Sequence, residues 1–485
     1  MLTILLDPTR PEPLYRQICT AIQAEIAAGH LKPHEKLPSR RALAGHLQVS
    51  MMTVQTAYEQ LTAEGCLYAH PRVGYFVDPD AQMLFHQTAQ TPPEKISPVP
   101  PDLPASVGRQ GDQIVFSTSG VDLGQFPFTT WAKLSRQVLT NHQETLLQGT
   151  PSMGLLALRQ AIADYLHAFR NIHVSPAQIL IGAGTEYLLG ILVQLLGITE
   201  QYAVEEPGYP KVSKILRANG ARVTPVPMDN DGLLCDERNI NGAKICHVTP
   251  SHQFPTGKIM PLRRRGELLR WLSAQPGRYL IEDDYDSELR FQGKPLPALY
   301  SLDQSGRVIY MNTFARTLTP SLRIGYVVLP PELAARFSSE FSFYSCTVPS
   351  FEQYTLLRFL QEGFLERHLN RMKKTYRQRR NVLLETLSTH PLGQSIQVYG
   401  EEAGLHILLA VHLPCTEAQL LRAASAVHVT LSGLSAYYNT PPRVPVDPPC
   451  VVLGYAQLSP DEIRTGITRC LDAWMRFQKP DAEKR

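Results

Sequence analysis

Four stretches of this 485-residue sequence gather side chains able to do chemistry. The apolar run ILIGAG leads into the helical pattern TEYLLGILVQLL and sets Gly184, Thr185 and Glu186 at a helix N-terminus. Unpaired amides and the helix dipole suit such a terminus to a phosphate, although an ordinary strand-to-helix turn uses glycine as well. In YLIEDDYDSEL another apolar run ends in acids around Asp283 and Tyr285, which taken alone read as solvated groups at a strand end. NTFARTLTPSLRIGY carries Arg316 and Arg323, and no lysine falls between Lys294 and Lys373. A guanidinium, with a pKa above about 12, gives permanent positive charge and no free amine. Lys32, Lys36, Arg40 and Arg41 form the fourth group, with Glu35 the one acid among them. By itself such a cluster is more often a solvated face than a contact with nucleic acid.

The elements that must position these groups follow from periodicity. Leu14, Ile18, Ile22 and Ile26 recur every four residues and put one apolar stripe on a helix that stops near Gly29. Pro38 and Ser39 start a second helix carrying Leu43 and Leu47, and Ser50 caps a third whose Val54, Ala57, Tyr58 and Leu61 share a face. Gly65 ends it, and Leu67 to Val77 reads as two short strands around Pro71 and Gly74. Helix, helix-turn-helix and wing result, mostly α with a small β wing. Prolines 92, 93, 98, 100, 101 and 104 mark a semi-extended spacer. From about Ile114 strand-like runs alternate with helical patterns, the mark of an α/β sheet. The division expected is 1–79, a linker over 80–112, and 113–485.

Composition narrows the classes. With 43% hydrophobic and 19% charged residues the chain reads as globular, and no run approaches the roughly 20 apolar residues of a membrane helix. The opening MLTILLDPTRPEP is too short in apolar residues for a signal peptide, so a cytoplasmic protein without membrane contact is expected. The eight cysteines include no C-x-x-C pair, against both a metal site and a disulfide framework. Residues 1–79 hold as many Lys and Arg as Asp and Glu, so DNA binding must rest on local placement rather than domain charge.

LKPHEKLPSRRALAGHLQVSMMTVQTAYEQLTAEGCLYAHPRVGYFV resembles the GntR type of winged helix across the whole unit. The resemblance implies a double-stranded DNA operator met by Ser39, Arg40 and Arg41, by Ser50, Thr53 and Gln55 at the start of the third helix, and by Arg72 and Gly74 of the wing. One departure stands out: the family usually carries Arg-Asn after Val-Ser, and this chain has Met51 and Met52. Methionine donates no hydrogen bond to a base edge or phosphate.

The remainder resembles the type I fold of pyridoxal-phosphate enzymes, through SGVDLGQFPFTTW, GLLALRQAIADYL, VEEPGYP, TPSHQFPTG and AGLHILL besides the stretches above. Joined to a GntR-like head, it is similar to the MocR/GabR family of regulators. The resemblance implies that Asp283 pairs with the protonated pyridine nitrogen, Tyr285 bonds the ring hydroxyl and Tyr209 stacks on the ring. Arg323 would hold the phosphate with Thr313, Ser321, Gly184, Thr185 and Glu186. TPSHQFPTG departs from the commoner asparagine before Pro-Thr-Gly and leaves His252 and Gln253 as candidates to line the pocket. Where the family's Schiff-base lysine belongs, this chain has Arg316. The arginine that enzymes of this fold use for a substrate carboxylate is also missing near VVLGYAQLSPDE.

Two explanations of Arg316 stand open. Either the pocket keeps pyridoxal 5'-phosphate, or a relative of it, without a covalent bond, or the cofactor role is lost and another anionic metabolite, or nothing, takes the site. Retention of Asp283, Tyr285 and Arg323 favours the first. The expected protein is a homodimeric transcription regulator that senses a small-molecule effector and lacks transaminase activity. The alternatives are an active aminotransferase with an accessory DNA-binding head, and a DNA-binding protein whose large part only dimerises.

Overall fold

A computed structural model describes residues 4–86, 112–293, 296–442 and 445–478. The chain separates into two compact units, 1–108 and 109–485. The proline-rich spacer lies, over 87–111, outside the described residues.

In the first unit, α1 (Leu14–Ala27) buries Ile18, Ile22 and Ile26 almost completely. Each such side chain contributes about 1.5–3 kcal/mol relative to exposure. The helix-turn-helix follows from two serine caps. Ser39 Oγ accepts the Ala42 amide at 3.2 Å and opens α2 (Arg40–Leu47), which ends where Gln48 turns left-handed. Ser50 Oγ accepts the Thr53 amide at 3.0 Å and opens α3 (Met51–Ala63). Tyr58, fully buried on α3, donates its hydroxyl to Pro38 O at 2.9 Å and ties that helix to the start of α2. The wing is an antiparallel pair, β1 (Leu67–His70) and β2 (Gly74–Val77). Its turn needs positive φ at Arg72 (65°) and Gly74 (136°), the second a conformation that suits glycine. The unit runs past residue 79: α4 (Ala81–His86) sets Ala81 fully inside the core, so these residues belong to the winged helix rather than to the spacer.

The second unit is built on an eight-stranded mixed sheet. Its strands are β3 (Ile179–Gly182), β4 (Gln201–Glu206), β5 (Arg222–Asp229), β6 (Gly232–Leu233), β7 (Ile245–Val248), β8 (Tyr279–Asp283), β9 (Val308–Thr313) and β10 (Gly325–Val328). They lie in the order β3-β10-β9-β8-β7-β4-β5-β6. The run from β9 to β5 is parallel, whereas β10 is antiparallel to both neighbours and β6 to β5. Strands covered on both faces read as continuous apolar runs, and β3, β7, β9 and β10 are buried at every residue. Leu180, Ile281, Ile309 and Val327 face one way and pack on α5 (Gly184–Leu196), while Ile179, Ile181, Tyr310 and Tyr326 face the other. A separate four-stranded sheet includes His406–Val411 and Cys450–Gly454 and packs with the helices Phe364–Thr389 and Pro460–Trp474.

The end of β8 is set by buried charge. Arg170, the last residue of the helix Leu156–Arg170, meets Asp284 at 2.9 Å with side-chain exposures of 3% and 0%. Tyr310 donates its hydroxyl to the same carboxylate at 2.6 Å. Burial pushes the Asp284 carboxyl up, but the Arg170 guanidinium and the hydrogen bonds from Ser251, Tyr310 and Ser287 together outweigh it, holding the group below its ordinary range. On the same face Glu282 accepts the Leu299 and Tyr300 amides, each at 2.9 Å. Arg170→Ala is expected to destabilise the second unit by about 3–5 kcal/mol, because it strands a buried carboxylate. Urea unfolding at neutral pH measures this, and a loss below about 1 kcal/mol would contradict it.

Candidate functional site

The C-terminal end of β8 and the N-terminus of α5 open on one cavity of about 350 Å³. Gly184, Thr185, Glu186, Tyr209, Asp283, Tyr285, Thr313, Arg316 and Arg323 all line it. Of the residues expected at a cofactor, Ser321 alone stays outside, with its hydroxyl 3.0 Å from that of Thr319, beside a neighbouring groove.

Strand alternation aims Asp283 into this cavity, since Glu282 and Asp284 are fixed on the opposite face. Asp283 is 7% exposed, its Oδ1 has no hydrogen-bond partner, and its Oδ2 lies 3.6 Å from His247 Nε2 on β7. An unpaired acceptor at this depth costs free energy until a donor reaches it. Tyr285 donates to His252 O at 3.0 Å, and burial holds its phenol well above the ordinary value. Arg316 donates to Thr118 O at 3.0 Å, with its guanidinium 5.9 Å from the centre of the Tyr285 ring. Tyr209, 40% exposed, meets Phe254 edge to face at 5.3 Å.

The opposite end is cationic. Gly184 takes φ +84° as the chain turns from β3 into α5, leaving its first amides open. Arg323, left-handed at φ 49°, reaches this terminus because β10 pairs with β3. Between the cations sits Glu186, 2.6 Å from Lys211 Nζ and 2.9 Å from Arg323 Nη2. The Lys211 hydrogen bond, followed by that of Arg323, holds the Glu186 carboxyl below its ordinary value, and Glu186 in turn raises the Lys211 ammonium.

Sequence reasoning missed Lys211, His247, Glu205 and Phe254, all of which line the cavity. Lys211 carried a signal, standing second in the helix α6 (Pro210–Ala218) that Tyr209 precedes. His252 and Gln253 do not line it. His252 Nδ1 lies 2.8 Å from Asp286 Oδ2, and Gln253 donates to Pro207 O and accepts the Thr256 hydroxyl. These bonds hold both side chains away from the cavity, and Phe254 takes the place facing it.

In the first unit Arg40, Arg41 and Arg72 are exposed and make no bond to another described side chain. Ser50 is occupied with Thr53, and Gln55 donates to Glu59 at 2.8 Å. Among the described residues no group of His, Cys, Asp and Glu could hold a metal ion, and no helix is long and apolar enough to cross a membrane.

Residues 14–77 match the family of bacterial regulatory proteins of the gntR type, and 111–469 match aminotransferase class I and II. The chain is 38% identical to the uncharacterized HTH-type transcriptional regulator YdeL of Bacillus subtilis, over 98% of this chain and 99% of that one. It is 34% identical to the probable rhizopine catabolism regulatory protein MocR of Rhizobium meliloti, over 99% and 97%. With the HTH-type pyridoxine biosynthesis transcriptional regulator PdxR of Corynebacterium glutamicum identity is 32%, over 90% and 92%. The kynurenine aminotransferase of Pyrococcus horikoshii superposes with a TM-score of 0.67 at 24% identity, covering 76% of this chain and 93% of that one. The chain belongs to the MocR/GabR-type regulators, in which a gntR-type winged helix precedes an aminotransferase-like domain. It is a transcription regulator, and its fold is one whose family binds pyridoxal phosphate.

An anion placed at α5 would compete with Glu186 for Lys211 and Arg323. Glu186→Gln is therefore expected to tighten binding of pyridoxal phosphate roughly two- to fivefold, and Lys211→Ala to weaken it similarly, the range for half-exposed ion pairs. Absorbance titration checks both. Equal affinity in Glu186→Gln and the natural chain would contradict competition at this terminus.

Proposed function

We propose that the protein is a homodimeric regulator whose winged helix binds a duplex operator and whose cavity holds pyridoxal phosphate, or a phosphorylated relative, without a covalent bond. The observation that carries this reading is Arg316 in the cavity wall, where the family's lysine belongs. Its guanidinium supplies charge and no nucleophilic amine. The cavity's lysine, Lys211, stands elsewhere, paired with Glu186 at 2.6 Å at the N-terminus of α5 beside Arg323.

The residues fit the ligand at both ends. The free Oδ1 of Asp283 suits a hydrogen bond from the N–H of a pyridinium ring, and Arg323, Lys211 and the α5 amides suit a phosphate dianion. Tyr209 offers an aromatic face and Phe254 an apolar wall. Pyridoxal phosphate, when bound, supplies an electron-poor ring that acts as an electron sink. Asp283 keeps the ring nitrogen protonated, and Arg316 sets a second cation beside the ligand. Without an amine at residue 316, or an arginine for a substrate carboxylate, the site is a sensor rather than a transaminase. Differential affinity of the ligand for two states of the protein is what couples it to DNA.

Arg316→Lys tests this reading. The variant, incubated with pyridoxal phosphate and treated with borohydride, is expected to carry a covalent adduct on residue 316 by peptide mass mapping, and the natural chain none there. A folded variant that binds no pyridoxal phosphate would make the retained residues relics of the fold.

A further inference from the structure

We propose that Met51 and Met52 read the 5-methyl groups of thymine in the major groove, so that the N-terminus of α3 recognises its operator by apolar contact. The proposal rests on the regulator reading above. It follows from what the first turns of α3 leave available. Ser50 Oγ accepts the Thr53 amide at 3.0 Å and stands 2.8 Å from Thr53 Oγ1, so the two hydroxyls satisfy one another. Thr56 Oγ1 donates to Met52 O at 3.0 Å, and the Gln55 amide donates to Glu59 at 2.8 Å. The polar side chains expected to reach base edges are thus committed within the helix.

Met51 and Met52 are 57% and 68% exposed and take no part in the core. On the same unit Arg40 and Arg41 at the start of α2 and Arg72 in the wing turn are exposed and make no bond to another described side chain, cations suited to DNA phosphates. Such charge complementarity selects the duplex as the partner that covers the two thioethers. Of the four base pairs, only those containing thymine present a methyl group in the major groove. Methionine is unbranched and polarisable, with three rotatable bonds, and can settle on such a methyl group where a shorter side chain would fall short. The Arg-Asn pair usual in the family offers donors to base acceptors instead, so this chain's operator should differ from its relatives' sites at the positions facing residues 51 and 52.

The test begins with selection of preferred duplexes by the full-length protein from a random pool. In the preferred duplex each thymidine is then replaced singly by deoxyuridine, which removes the methyl group and leaves base pairing intact. At one or two positions in each half-site the substitution is expected to weaken binding about fourfold, the effect of losing one buried methyl-sized group. The double variant Met51→Ala, Met52→Ala should bind the thymidine and deoxyuridine duplexes alike, and Arg41→Ala should weaken both equally. Retained salt-sensitive binding by the double variant shows that its head is folded. A preferred duplex whose affinity ignores every deoxyuridine substitution overturns methyl readout and leaves the regulator reading standing. A double variant that keeps the thymine preference but loses self-association assigns the methionines to contact between copies and also overturns the proposal. If no duplex is preferred over the pool, both readings fail.

Discussion

Three consecutive acids at the end of a buried strand cannot all be solvated, and the strand period sends the middle one to the face opposite its neighbours. Glu282 and Asp284 are taken by backbone amides, Tyr310 and Arg170 on one side of the sheet, which leaves Asp283 the cavity side. Several kcal/mol oppose the burial of each ion, and the Arg170 pair offsets that cost only in the geometry seen here. Any shift of β8 would break these contacts. The direction of Asp283, and with it one end of the cavity, is therefore fixed by the fold.

The other end is fixed by topology. Because β10 runs antiparallel beside β3, the turn preceding it delivers Arg323 to the start of α5, and the turn after β4 delivers Lys211 to the same place. Glu186 neutralises part of that charge. In the proposed sensor, an anion at this terminus would exchange one set of ion pairs for another. Arg316 contributes to the same economy of charge: it extends the cationic character of the wall toward Tyr285 while withholding the chemistry a lysine would give.

Much of this was legible in the sequence because each element carried a local signal. Apolar periodicity located α1 and α3, serine caps marked the starts of α2 and α3, and strand-end acids and the glycine turn at 184 identified both ends of the cavity. What remained hidden depended on long-range contact. His247 reaches Asp283 only because β7 lies beside β8, and Lys211 acquires its role only through Glu186 and Arg323. His252 and Gln253 were misplaced because a long-range contact with Asp286, for the first, and a bond within the loop to Thr256, for the second, hold them away from the cavity. Ser321 stands near Arg323 in sequence yet pairs with Thr319 outside the cavity. At residue 81 the linker composition gave no warning that one alanine would be buried against the winged helix.

The central claim is a cavity that keeps the recognition groups for pyridoxal phosphate and holds the ligand without a bond to the chain. Mass spectrometry of the purified natural protein, pre-incubated with pyridoxal phosphate, tests it most directly when native and denaturing conditions are compared on one sample. The account predicts a native mass increased by the ligand and a denatured mass equal to the bare chain, with or without prior borohydride reduction. A reduced adduct on any cavity residue of the natural chain, or a native mass without ligand at saturating concentration, would contradict it.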